Sequence, residues 1–342
     1  MKNARAFLSV FAIVFLLAAA GCGGQAVPLS RTEFVLWTTC TVTLYDHTEQ
    51  ATLDAVFARL HEIHDRLSVN VPASELDAVS AAAGRSAVHV TDDAFLLIKE
   101  ELRYSAYSDG LFDPTVGPLM KAWKMNTDQG HIPAPADITR ALRLVNWHDV
   151  VMDDSAKTIY LKRPGMSLDA GGILKGYAAD ETARILSSRG VKSAMIDLGG
   201  DIMAMGSKLD GSPWRIGIQD PDSPRGVSFG TVEVMNKSVV TSGVYEHFFI
   251  QNGKRYHHIM DTRTGYPVEN GLVAVTVVAP TSILADGWDT TLLCMGPARG
   301  LAIAKSMGLD AILVSGDHKL YATDGMRKML AITDPSFTYA VP

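Results

Sequence analysis

Ser167 to Asp180 reads Ser-Leu-Asp-Ala-Gly-Gly-Ile-Leu-Lys-Gly-Tyr-Ala-Ala-Asp, a short extended run that turns at two glycines into a helix. No other stretch restricts the fold as much. A glycine corner between strand and helix lets a ligand approach the backbone, because no Cβ stands in the way. The helix N-terminus behind it presents free N–H groups and the positive end of the helix dipole, both suited to a phosphate. Asp169 precedes the corner as an acceptor, and Lys175 follows it as a cation. The stretch is neither G-x-G-x-x-G nor a phosphate loop ending in Lys-Ser/Thr. Taken alone it supports a ligand site and a plain strand-to-helix turn equally.

The chain has 342 residues, 47% of them hydrophobic, enough for one large domain or two ordinary ones. Its net charge of −6, with no long basic run, disfavours a nucleic-acid partner. The first residues are a separate object. Lys2 and Arg5 precede an apolar run from Phe7 to Ala20 that is too short to span a bilayer comfortably, and Leu17-Ala18-Ala19-Ala20-Gly21-Cys22 closes it. Small residues before a cysteine predict a bacterial lipoprotein signal over 1–22, with Cys22 lipidated, a tether over 23–30 and a domain over 31–342. An ordinary cleaved signal is the plain alternative. Both export the protein, and Cys22 predicts a lipid anchor on the periplasmic side of a bacterial membrane. Cys40 and Cys294 read as buried free thiols, although export also permits a disulfide.

Along the chain, Glu33 to Tyr45 alternates as a strand, and Leu53, Val56, Phe57, Leu60, Ile63 and Leu67 recur at helical spacing. Thr91 caps a helix to about Ser108. Val150 to Met152 and Thr158 to Leu161 form a hairpin. Trp214 to Ile218, Gly230 to Val234 and Ser238 to Thr241 read as strands of one antiparallel sheet. Leu272 to Ala279 is continuously apolar and so central in a sheet. Strands and helices follow no doubly wound rhythm. The class is α+β, a single domain of mixed and antiparallel sheets with flanking helices.

Three further stretches carry chemistry. Asp109 to Pro118, with two prolines and two glycines, is a rigid loop that serves either as a connector or as a ligand wall. Asn252-Gly253 predicts a type I′ turn that sets Gln251 opposite Lys254, Phe249 opposite Tyr256 and His247 opposite His258. That histidine pair admits three readings: half of a zinc site, which lacks further Cys or His at ligand spacing; a general base; or ordinary edge-strand residues. Asp286 and Thr290, four apart on a helix, share one face and offer hard oxygen donors to Mg²⁺ or Ca²⁺. The plain alternative is an acid near a positive helix end.

In order, Ser108 to Leu119, Asp169 to Asp180, Asp197-Leu198-Gly199-Gly200-Asp201, Thr241 to Glu246, His258-Ile259-Met260-Asp261 with Thr264-Gly265, and Ala285-Asp286 with Thr290 resemble the ApbE family of FAD:protein FMN transferases. The resemblance implies an ApbE-like, T-fold-related architecture. It implies an enzyme that cleaves FAD, places FMN on a Ser or Thr of an exported or membrane redox protein, and releases AMP. By position it implies flavin-site contacts from Trp37, Asn70, Leu111, Phe112, Asp113, Asp169, Lys175 and Ile259. It implies metal ligation by Gly172, Asp286 and Thr290 with help from Asp289, and proton transfer by His258 with Asp261 nearby. The chain departs from the family pattern at three places. Trp37-Thr38-Thr39 stands where Met-Gly-Thr is usual. Asn70 stands where an aromatic residue is usual, which leaves room for water near the diphosphate. Asp261-Thr262 replaces Asp-Pro. FAD hydrolysis to FMN and AMP, or FAD binding without chemistry, are the alternatives.

Overall fold

The computed structural model describes residues 27–125, 127 and 129–340. The signal, Cys22 and the first half of the tether lie outside the described residues. Strand β1 (Leu29–Val35) begins inside the expected tether and pairs with β2 (Thr38–Leu44) as a hairpin. One strand was expected over Glu33 to Tyr45. The break falls at Leu36 and Trp37, both at positive φ (55° and 60°). Bulky L-residues rarely adopt that conformation, so no glycine or asparagine marks the turn.

Helix α1 (Gln50–Leu67) buries the predicted apolar stripe. In α2 (Glu75–Ala81), the Ser74 side chain accepts from Asp77 N and caps the start. Then come β3 (Val88–His89), α3 (Asp92–Ser108), α4 (Gly117–Trp123) and α5 (Pro135–Leu142). The expected hairpin of β4 (Val150–Asp153) and β5 (Thr158–Leu161) is present, and β3 adds to it. The chain continues through α6 (Leu174–Ser188), β6 (Ala194–Leu198), β7 (Asp201–Met205), β8 (Trp214–Gln219), β9 (Ser228–Val234) and β10 (Lys237–Gly243). The hairpin β11 (Phe248–Gln251) and β12 (Lys254–His257) precedes β13 (Leu272–Ala279) and α7 (Ser282–Ser306). The chain then runs through β14 (Asp310–Ser315), β15 (Lys319–Ala322), α8 (Asp324–Met329), β16 (Leu330–Ile332) and β17 (Thr338–Tyr339).

The main sheet runs β1-β2-β6-β7-β10-β13-β14-β15-β17, antiparallel except for the parallel β15–β17 pair. β8 and β9 do not share a sheet with β10 as expected. They form a separate sheet with β16, while β10 lies between β7 and β13. Short strands of similar pattern carry no mark of their neighbour, and long-range burial decides the pairing. β13 is central because both faces are covered. Val275 and Val277 face the core under the helices, whereas Ala274 and Val278 join Ile216 and Val232 of the smaller sheet.

Helix α7 crosses β10, β13 and β14, and α6 lies between α7 and α1. α7 breaks at Gly296 (φ 78°), just before Pro297. Proline has no N–H to offer the carbonyl of Leu293. Asn270 Nδ2 donates to that carbonyl at 2.7 Å, so the kink leaves it bonded. A third cluster around Leu119, Trp123 and Ile138 supports the β11–β12 hairpin through Phe249 and Tyr256.

Candidate active site

One cavity of about 650 Å³ opens between the α6–α7 junction and the β11–β12 hairpin. Its size falls within the range of about 300–1,000 Å³ usual for ligand sites. The glycine corner forms part of its wall. Asp169 N donates to Pro114 O at 2.7 Å, and Gly171 N donates to Asp169 Oδ1 at 2.9 Å. A Cβ on Gly172 would come within 2.6 Å of the Phe112 ring, so that ring closes directly on the glycine backbone. Gly176 is tighter still. A Cβ there would lie 2.6 Å from Ser282 O, and its N–H donates to Asp286 Oδ2 at 2.7 Å. Glycine at this point lets α6 and α7 touch, which brings Lys175 and Asp286 to one wall.

Asp201, Asp286 and Asp289 are buried at this wall, and Lys175 stays partly exposed. Lys175 pairs with Asp201 at the start of β7. Burial alone would lower the Lys175 pKa, but Asp201 and Asp286 outweigh it and hold the ammonium above its ordinary value. Burial pushes Asp286 up to about 8 against the pull of Lys175. Burial also raises Asp289 well above the usual carboxylate range, with Asp286 adding to the effect. Asp289 stands behind the cavity wall. Its Oδ1 accepts from the N–H and hydroxyl of Thr290, and its Oδ2 is buried without a partner. Thr290 Oγ1 also lies 2.6 Å from Ser242 Oγ. Gly172, Asp286 and Thr290 all line the cavity.

Glu246, His247, His258 and Ile259, which flank the β11–β12 hairpin, form another wall, and the predicted register of the hairpin holds. Asn252 and Gly253 are both at positive φ, and Phe249 pairs with Tyr256. His258 N donates to His247 O at 3.0 Å, and the two rings stand edge-on with centroids 5.3 Å apart. Burial first, then His247, holds the His258 imidazole far below its ordinary pKa, so it is neutral. Both histidines line the cavity, His247 exposed and His258 partly buried. No group of three His, Cys, Asp or Glu converges among the described residues to complete a zinc site. Asp261 does not line the cavity. Its carboxylate takes Arg263 Nε at 3.0 Å and Nη2 at 2.8 Å, which locks the turn that follows His258. Thr262, where the family pattern has proline, donates to Gly110 O at 2.6 Å and ties that turn to the 109–118 loop.

Other predicted residues divide by role. Leu111, Phe112, Ile259 and Asn70 line the cavity. Asp113 also lines it, but its carboxylate is occupied by Thr115 and by Trp147 N at 2.9 Å, so it shapes the loop. Trp37 stands at the mouth, 52% exposed, with Nε1 donating to Ser68 Oγ at 3.1 Å. Sequence reasoning missed Asp201 as the partner of Lys175, although it ends a glycine motif already singled out. It also missed the rim pair of Arg225 and Glu246, 2.6 Å apart. Arg225 comes from an irregular loop, and no local signal marks it.

A sequence profile of the ApbE family matches residues 36–313. The chain is 35% identical over 295 residues to an FAD:protein FMN transferase of Klebsiella pneumoniae, covering 86% of this chain and 91% of that protein. It is 32% identical over 358 residues to an FAD:protein FMN transferase of Treponema pallidum, covering 98% and 99%. The crystal structure of the ApbE protein from Thermotoga maritima superposes with a TM-score of 0.83 at 27% identity, across 89% of this chain and 99% of that one. A glycine corner, an acid–hydroxyl pair and a neutral histidine thus converge in a domain matched along most of its length, and the chain belongs to the ApbE family.

Proposed function

We propose that the protein transfers FMN from FAD to a Ser or Thr hydroxyl of an exported or membrane redox protein and releases AMP. One observation carries this reading: the glycine corner with Lys175, the Asp286–Thr290 pair and the neutral His258 face one cavity. The acceptor oxygen attacks the phosphorus on the FMN side of the diphosphate. The bond between that phosphorus and the bridging oxygen breaks, and AMP leaves with the bridging oxygen. The hydroxyl proton passes to His258, whose neutral ring can accept it. The anionic diphosphate beside the ring raises its basicity. Lys175 and the N–H groups at the start of α6 stabilise charge on the phosphates.

The residues fit a divalent cation. Asp201, Asp286 and Asp289 are all buried, and Lys175 is the cation set against them. Gly172, Asp286 and Thr290 would hold Mg²⁺ or Ca²⁺, with Asp289 behind Thr290. Such an incomplete protein shell suits an ion that keeps waters and takes other ligands from phosphates. When bound, the ion would neutralise diphosphate charge and ease departure of AMP. Export and lipidation at Cys22 on the periplasmic side belong to the same reading and rest on the N-terminal sequence alone.

A second reading, FAD hydrolysis to FMN and AMP, is favoured by Asn70. It lines the cavity where the family pattern has a ring, and leaves polar room for water. Incubation with FAD and Mg²⁺, with and without a Thr peptide, separates these readings. AMP with a peptide that gains the mass of FMN supports transfer. AMP with free FMN alone supports hydrolysis. Tight FAD binding without AMP leaves a binding protein.

A further inference from the structure

We infer that the outer edge of β11 is a strand-addition site for an extended, acidic, hydroxyl-bearing segment of the flavin acceptor. The inference rests on the transferase reading, because that reaction brings a second protein to His258. β11 and β12 form a two-stranded sheet that no third strand joins among the described residues. The bond from His258 N to His247 O fixes which pairs are hydrogen-bonded. By alternation, Phe248 and Ile250 turn their backbone N–H and C=O groups outward. No backbone bond from another described element reaches them.

The side chains on this edge are open as well. Ile250 is 66% exposed and Phe248 is 41% exposed. Phe249 and Tyr256 instead stack on each other, 5.3 Å between centroids, and pack towards Trp123. An open apolar edge invites pairing unless something blunts it. Arg255 does not blunt this one. Its guanidinium lies 4.5 Å over the Phe248 ring, and it has no ion-pair partner among the described residues. An unpaired cation beside two exposed apolar side chains matches an acidic extended segment rather than a basic one.

Position links this edge to the chemistry. β11 begins directly after His247, which stands over His258 at the cavity wall. Paired strands lie about 4.8 Å apart. A segment laid along Phe248 and Ile250 therefore runs one spacing from His247 and two, about 10 Å, from the strand line of His258, and its continuation past Glu246 leads to the mouth. Main-chain bonds would hold the segment, while the cavity selects its hydroxyl.

The test uses the purified protein with FAD and Mg²⁺ and two short Thr peptides, one flanked by Asp and Val, the other by Lys and Val. Hydrogen exchange should show protection at the Phe248 and Ile250 amides with the Asp peptide, and mass spectrometry should find FMN on its Thr. Ile250→Pro removes an outward N–H that β12 does not use. It should raise KM for the Asp peptide about three- to tenfold, the range expected for one lost hydrogen bond. Its kcat and FAD affinity should stay unchanged. Arg255→Glu should shift the preference towards the Lys peptide. Protection elsewhere, binding of neither peptide, or an unchanged KM in Ile250→Pro with normal FAD binding overturns the inference. Edge protection that needs no peptide and grows with protein concentration also overturns it, in favour of self-association. Protection at the edge without FMN on the peptide upholds the docking site and sinks the transferase reading instead.

Discussion

The two walls of the cavity are built in opposite ways. The α6–α7 wall is closed: helices touch at Gly176, and Asp201, Asp286 and Asp289 are buried beside a partly exposed Lys175. The hairpin wall is open. It has two strands, a tight turn exposed to solvent, and apolar residues facing outward. Charges that must meet a diphosphate gain from burial, because a low local dielectric strengthens them and rigid packing holds them in place. A wall that must admit a second macromolecule gains from unsatisfied edges instead. In the proposed reaction the first wall would take FAD and a divalent cation, and the second the acceptor.

The sharpest way to break this division is to delete one group from each wall. His258→Ala should lower transfer about 10²- to 10⁴-fold, the usual range for a general base, while FAD affinity holds. Asp286→Ala should lower transfer about 10²- to 10³-fold and also weaken metal-dependent FAD binding. AMP release and FAD titration read both variants. Equal loss of FAD affinity in the two would erase the distinction, and full metal-dependent activity in Asp286→Ala would remove the cation from this wall.

Packing should divide the same way. Gly176→Ala forces a methyl to 2.6 Å from Ser282 O and should cost about 1–3 kcal/mol in urea unfolding. Gly253→Ala has open space around it and only its φ of +75° to resist. It should cost about 1 kcal/mol. A reversed order would show that the helix contact relaxes freely.

The smallest effect concerns Glu101 on α3, fully buried with neither carboxylate oxygen bonded. Burial raises its pKa well above 4.5, with Asp169 and Asp113 adding to the shift. Because the folded-state value is raised, its contribution to stability is complete below the unfolded value near 4.5. It is lost as pH rises towards the folded value. Glu101→Gln should therefore flatten the fall in melting temperature above about pH 4.5. Parallel curves for wild type and variant would mean that Glu101 does not fold neutral.

Much of the site was legible because its signals are local. Asn252-Gly253 demands one turn, and that turn sets the register that pairs His247 with His258. Helical spacing puts Asp286 and Thr290 on one face, and two glycines announce a corner. Asp261 misled for the opposite reason. Its place near His258 in sequence suggested a catalytic partner, but its side chain is taken by Arg263, two residues on. The Leu36–Trp37 turn was hidden because its residues are poor turn formers that neighbouring strands force to positive φ.

The amino-acid sequence by itself determined the hairpin register, the glycine corner, the amphipathic α1, the central place of β13 and the membership of the family. Each depends on residues a few positions apart, or on a pattern kept in order along the chain. Only the tertiary structure decided that β10 leaves β8 and β9 for the main sheet, and that Asp201 answers Lys175. It also decided that Arg225 reaches Glu246 across the rim, and that Phe248 and Ile250 remain uncovered beside His258. Those facts turn on which distant surfaces exclude water from one another, and burial between elements far apart in sequence leaves no mark on either one alone.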